Sequence, residues 1–119
     1  MSDDITTIGI EDSFPISTTF DIPPFVVDRT LGLCWGVVVR SVGTVKGFTG
    51  GFRSMRRGEV PQYTELVDQS RHHALQRLIA HARELDAGAV LGVRFDSTEL
   101  AGNLAEIVAY GTAVTLRRP

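Results

Sequence analysis

Three histidines, His72, His73 and His81, and a single cysteine, Cys34, are the side chains of this 119-residue chain whose chemistry suits a metal ion. Imidazole and thiolate hold zinc and softer metals, but a site needs three or four such donors converging on one point. Helical spacing works against that within one chain. His73 and His81 share a side, yet eight residues at a helical rise place them roughly 12 Å apart along the axis. Neighbours His72 and His73 diverge by about 100°. His81 and Glu84 stand at i, i+3, which supplies two ligands and no more. A divalent or soft metal is thus one candidate ligand whose sites would have to form between chains, and no other cofactor is expected. The polar side carrying His73, Arg77, His81 and Glu84 reads as a solvated helix face. Cys34 has no CxxC companion and reads as a small buried hydrophobe.

Charge of other kinds is placed more suggestively. Arg71 projects between Val67 and Leu78, in the middle of an otherwise apolar helical stripe. A guanidinium there needs a partner. Asp96, Glu106 or a neighbouring subunit could supply the carboxylate, and an ion pair is preferred over an anion-binding role; snorkelling from the first turns is the third outcome. Arg71, Asp96 and Tyr110 are therefore the candidate ion-pair or interface residues. Asp96 and Glu106 flank a turn, where carboxylates commonly cap or stay solvated. No nucleophile stands beside a base. The chain is read as not being an enzyme.

The stretch from Gly43 to Gly58 combines glycines with Lys46, Arg53, Arg56 and Arg57. Its spacing fits neither the dinucleotide fingerprint nor the P-loop, because Gly-Lys-Ser/Thr is missing and no long helix starts at once. A connector, as loop or short helix, is the reading.

The elements that position these residues follow from periodicity. Pro61 suits the first position of a helix, and Val67, Ala74, Leu75, Leu78, Ile79, Ala82 and Leu85 form one stripe up to a stop at Gly88. Leu31–Val42 is rich in β-branched residues and reads as a strand with two apolar faces: Leu31, Leu33, Trp35, Val37 and Val39 against Cys34, Val38 and Val42. Ala89–Asp96 and Ile107–Leu116, joined by the polar turn Ser97–Asn103, read as a hairpin. The fold class is α+β, a β-α-β-β subunit with a small three-stranded sheet and one long helix packed on it. One helix covers one face. The second face, apolar on all strands, must be covered by segment 43–58, by the N-terminal arm or by another copy, and a homo-oligomer built through sheet faces or edges is predicted.

Size and charge bound the rest. One domain fits 119 residues, and a net charge of −2 argues against a nucleic-acid or membrane-surface partner. The start Met1-Ser2-Asp3-Asp4 lacks a signal-peptide pattern and no apolar run is long enough to span a bilayer, so cytoplasmic residence is expected. Residues 1–17 read as a flexible acidic tail and 18–119 as the domain. Pro15, Pro23 and Pro24 make the region before residue 30 an extended arm, whose Phe14, Ile16, Phe20, Phe25, Val26 and Val27 call for cover from the body or a neighbouring subunit.

Several runs carry a resemblance: Tyr63-Thr-Glu-Leu, Arg71-His-His-Ala-Leu, Ala87-Gly-Ala-Val-Leu-Gly-Val-Arg-Phe-Asp96 and Ala109-Tyr-Gly-Thr-Ala-Val114. With the Leu31–Val42 strand and Thr18-Thr19, about a hundred residues resemble the YbjQ-like heavy-metal-binding family. The resemblance implies a dodecin-like β-α-β-β subunit assembled into a ring, a pentamer or a multiple of it. It also implies metal binding, without a defined ligand set. The chain departs from the family at Ser54-Met-Arg-Arg-Gly-Glu-Val60, where Ile-Val-Gly-Gly-Arg is usual, and in its Pro-rich arm. The function expected on these grounds is a non-enzymatic homo-oligomeric binding or scaffold protein; the alternative is a heavy-metal-binding protein with ligands contributed at subunit interfaces.

Overall fold

The computed structural model describes residues 14–41, 61–100 and 103–119. The acidic residues 1–13 and the basic glycine-dotted stretch 43–58 lie outside the described residues. The elements are β1 (Val26–Ser41), α1 (Pro61–Glu84), β2 (Ala89–Glu99) and β3 (Leu104–Arg117). The three strands form one antiparallel sheet in the order β1-β3-β2. Helix α1 lies across one face, as the α+β reading expects.

The strands run longer than the apolar patterns suggested. Val26–Thr30, assigned by sequence to the arm, begin β1, and Ser97–Glu99, assigned to the turn, end β2. Backbone pairing with β3 carries these residues into the sheet, a gain that side-chain alternation does not register.

The face beneath the helix is made of small side chains. Cys34, Gly36 and Val38 of β1 pair in register with Gly111, Ala109 and Ile107 of β3. Over them α1 sets Ala74, Leu75, Leu78, Ile79 and Ala82, all buried, so the stripe read from the sequence is the core stripe. Burying each leucine or isoleucine of this set contributes roughly 2 kcal/mol. Gly36 decides how near the helix comes. A Cβ built there would collide with the Ala74 carbonyl oxygen and the Leu78 amide nitrogen, and would lie 2.8 Å from the Arg77 carbonyl carbon.

Alternation fails at two points in β1, between Val27 and Arg29 and between Thr30 and Gly32. At the second of these, Gly32 has φ 121°. In consequence Leu31 packs against the helix-side core rather than beside Leu33 and Trp35.

The arm lies on its own subunit. Ser17 N–H donates to Val90 O at 3.0 Å and Val90 N–H to Pro15 O at 3.1 Å, which lays the arm parallel to the outer edge of β2. Gly92 and Val93 donate to Thr19 O and Ser17 O. Phe14 and Ile16 are buried in the helix-side core, so residues 14–17 join the body that the sequence reading starts at residue 18. On either side of the cis Pro23–Pro24 peptide, Ile22 and Phe25 close over Ala89, Leu91 and Val114 on the opposite face. The arm thus wraps from one face of the sheet to the other around β2.

The helix ends earlier than the glycine predicted. Asp86 takes the left-handed conformation (φ 63°), with Asp86 N–H donating to Arg83 O and Ala87 N–H to Ala82 O, each at 3.0 Å. That is a Schellman cap with aspartate where glycine is favoured. Gly88 instead donates to Val114 O at 2.9 Å, leading the chain into β2. Asp86→Gly is expected to raise stability by about 0.5 kcal/mol, the relief of left-handed strain less the added freedom of the unfolded chain. An increase in the urea midpoint at unchanged slope checks it.

Candidate functional site

The polar row of α1 is largely exposed, as expected, and it also engages the sheet. His73, Arg77 and His81 run along the outer edge of β1 and engage it. His81 Nδ1 accepts the Trp35 N–H at 3.1 Å, Arg77 Nη1 donates to the Val37 carbonyl oxygen at 2.6 Å, and Arg40 Nη2 is in hydrogen-bond contact with His73 Nδ1. The His81 ring also meets Trp35 edge-on, with centroids 4.5 Å apart. An open strand edge presents backbone groups to any passing chain. Here one helix face satisfies two of them.

This geometry bears on metal binding. His73 and His81 both accept through Nδ1, so each presents at most its other nitrogen. His72 stands apart, its Nε2 3.7 Å from Asp68 Oδ2 one turn earlier on an exposed surface. Cys34 is fully buried beneath α1, and desolvation pushes its thiol from 9.0 up to about 11. Among the described residues no three His, Cys, Asp or Glu side chains come together. The described donors of one chain therefore do not converge on a metal centre.

Two consequences for Cys34 are measurable. The native protein at pH 8 should leave the thiol unmodified by a disulfide reagent that labels the urea-unfolded chain stoichiometrically; fast native labelling would contradict this burial. The folded state also holds the Cys34 proton more tightly than the unfolded state. Its contribution is therefore complete below pH 9 and is lost as pH rises toward about 11. The urea midpoint should fall over that window in the wild type and less in Cys34→Ala.

Arg71 finds no carboxylate among the described residues. Its guanidinium lies 5.5 Å from the centre of the Phe95 ring, and the side chain is exposed. The expected ion pair with Asp96 or Glu106 is not formed: strand register places Asp96 beside Val108 and Glu106 between Val39 and Thr98, on the sheet face away from the helix. Arg71 snorkels, with aromatic rather than ionic contact. Tyr110 sits on that second face between Trp35 and Arg94.

Among the described residues, that second face carries a run of exposed large apolar side chains. The arm covers only its Ala89, Leu91 and Val114 end. Along β1, Leu33, Trp35 and Val39 remain 61%, 48% and 52% exposed, with Val37, Val108 and Tyr110 half-buried among them. Asp96, Glu106 and Arg94 form its polar border.

A concavity opens on the helix side, between the N-terminal half of α1 and the far end of the sheet. It has about 50 Å³ of free volume and is lined by Arg40, Leu66, Val67, Ser70, Arg71, Ser97, Ala105 and Ile107. Sequence reading singled out Arg71 there but missed Arg40. The signal for Arg40 was available: it continues the inward alternation of Cys34, Gly36 and Val38, where an apolar residue is expected.

Comparison with known proteins agrees with this fold. Residues 14–117 match the YbjQ family model, described as "Putative heavy-metal-binding". A UPF0145 protein of Methanoregula boonei is 44% identical over 107 residues, covering 90% of this chain and 89% of that one. A UPF0145 protein of Sulfurisphaera tokodaii is 42% identical over 108 residues, covering 91% and 95%. One from Paraburkholderia phymatum is 41% identical over 103 residues, covering 87% and 93%. Among solved structures, a DUF74-family protein of unknown function from Pediococcus pentosaceus superimposes with a TM-score of 0.58 at 14% identity, covering 86% of this chain and 96% of that one. At that identity the likeness concerns the fold. Together the wrapped arm, the single helix on a three-stranded sheet and these matches identify the chain as a member of the YbjQ family.

Proposed function

We propose that the protein is a non-enzymatic homo-oligomeric binding or scaffold protein, assembled as a ring of five subunits or a multiple of five. The observation that carries this reading is the sheet face left open beside the arm, where Leu33, Trp35 and Val39 stay about half exposed or more. A contiguous apolar patch of this kind marks an interface. The helix-covered outer edge of β1 and the partly arm-paired edge of β2 turn association toward that face. The ring and its size are supported by the family resemblance. Size-exclusion chromatography with light scattering is expected to give a discrete species near five, or a multiple of five, times 13.0 kDa. A monomer at micromolar concentration overturns the reading.

A second reading, heavy-metal binding between subunits, draws on the family description and on the exposed His72–Asp68 pair, a two-donor half-site that one chain cannot complete. It predicts a fixed metal stoichiometry by elemental analysis after metal exposure and dialysis, lost in His72→Ala. No retained metal, or equal retention in the variant, removes it.

A further inference from the structure

We infer that the concavity between α1 and the sheet is a binding site for a small organic anion, with its acidic headgroup held between Arg40 and Arg71. Both arginines occupy inward registers. Arg40 follows Cys34, Gly36 and Val38 on the helix-side face of β1, and Arg71 lies in the stripe of Val67, Ala74 and Leu78. Each is a charged residue at a position whose pattern calls for an apolar one, and they line the same cleft from two facing elements. Two guanidiniums bordering one cleft can be bridged by a single anion.

No carboxylate does so among the described residues. Arg71 contacts the Phe95 ring, Arg40 contacts His73, and the ion pairs there are His72–Asp68 and Arg117–Asp28. Glu99 is aligned with Arg40 across Ala105 in the sheet, yet forms no ion pair with it in this structure. Guanidinium forks match the oxygens of carboxylate and phosphate alike.

The surroundings narrow the ligand. The cleft floor is apolar, made of Leu66, Val67, Ala105 and Ile107, with the Ser97 hydroxyl at its sheet side. The Ser70 hydroxyl is already committed to Leu66 O at 2.9 Å. Free volume of about 50 Å³ exceeds what one water needs and suits a headgroup. Past Val67 and Arg71 a more open hollow of about 300 Å³ continues along Thr64 and Asp68. The Asp68 carboxylate disfavours a second negative charge there. A single acidic group on an uncharged, partly apolar body fits both hollows.

This site lies within one subunit and goes beyond the assembly reading. The test titrates acetate, hexanoate, inorganic phosphate and hexyl phosphate into the full-length protein at constant ionic strength, following thermal unfolding and calorimetric heat. Hexanoate or hexyl phosphate is expected to raise the melting temperature saturably and to bind at least tenfold more tightly than its headgroup alone. The two series separate carboxylate from phosphate. Arg40→Gln with Arg71→Gln should weaken binding at least tenfold, while the lysine pair Arg40→Lys with Arg71→Lys retains part of it. Without added anion the glutamine pair should keep the wild-type circular dichroism and a cooperative melting transition, which shows that it is folded. Absence of saturation, or equal binding in the glutamine pair, overturns the site. Light scattering on the same samples reports assembly separately.

Discussion

Alanine at position 36 is expected to lower the stability of the subunit by about 3 kcal/mol, the upper range for forcing one methyl group into a packed interior. The reason is the identity of the atoms that the methyl group would meet. They are the Ala74 carbonyl oxygen, the Leu78 amide nitrogen and, at 2.8 Å, the Arg77 carbonyl carbon. Backbone of this kind cannot rotate aside as a side-chain tip can. The helix must lift from β1, and lifting it loosens Leu78 and Ala74 from Cys34 and Val38 beneath. It also strains the two contacts that flank Gly36 along the edge, His81 to the Trp35 amide and Arg77 to the Val37 carbonyl. Gly88→Ala serves as the control, because a Cβ at Gly88 meets nothing within 4 Å and its φ is not positive. Urea unfolding followed by circular dichroism should show a large fall in midpoint for Gly36→Ala and almost none for Gly88→Ala. Equal midpoints would mean that α1 does not rest on β1 at this distance.

Gly36 also shows where sequence reading reaches its limit. Periodicity placed it on the same strand face as Cys34 and Val38, and placed Ala74 and Leu78 in the helix stripe. Both assignments hold, because each depends only on geometry within one element. That the helix backbone would pass directly over the glycine depends on the crossing of two elements, which neither pattern encodes. The polar helix row is a similar case. His73, Arg77 and His81 do lie together on one largely exposed side, but exposure does not leave them without protein partners. The outer edge of β1 runs beside them, and its Trp35 amide and Val37 carbonyl give the row its partners. Asp86 took the cap expected of Gly88 because a Schellman motif is set by where the last turn closes, and aspartate tolerates the left-handed region well enough. The cleft was half legible. Arg71 stood out against its stripe, whereas Arg40, inside the Leu31–Val42 strand pattern, was assigned to neither face and gained meaning only from lining the same concavity.

The second large effect concerns the open sheet face. Leu33→Glu combined with Val39→Lys is expected to leave each subunit folded and to convert the proposed assembly to a 13.0 kDa monomer at micromolar concentration. The two positions are chosen because their side chains are 61% and 52% exposed within one subunit, so a charged group at either can keep its hydration there. Val39 pairs with Glu106 in the sheet, and Leu33 with Thr112. A lysine at 39 therefore gains an opposite charge across the strands, worth a few tenths of a kcal/mol, and a glutamate at 33 meets a hydroxyl. The pair also leaves the net charge unchanged, so a loss of assembly cannot be assigned to overall repulsion. In a ring that buries this face, both charges would have to be desolvated at every contact. Without matched partners that costs several kcal/mol per subunit, roughly a thousandfold or more in association. Trp35 is left in place because its amide and ring are both engaged by His81. If the double variant keeps the wild-type mass in light scattering, the face formed by Leu33, Trp35 and Val39 is not the one that joins subunits, and the proposal fails at its carrying observation. Wild-type circular dichroism and an unchanged urea midpoint in a monomeric variant would show that the face is needed for assembly and not for folding.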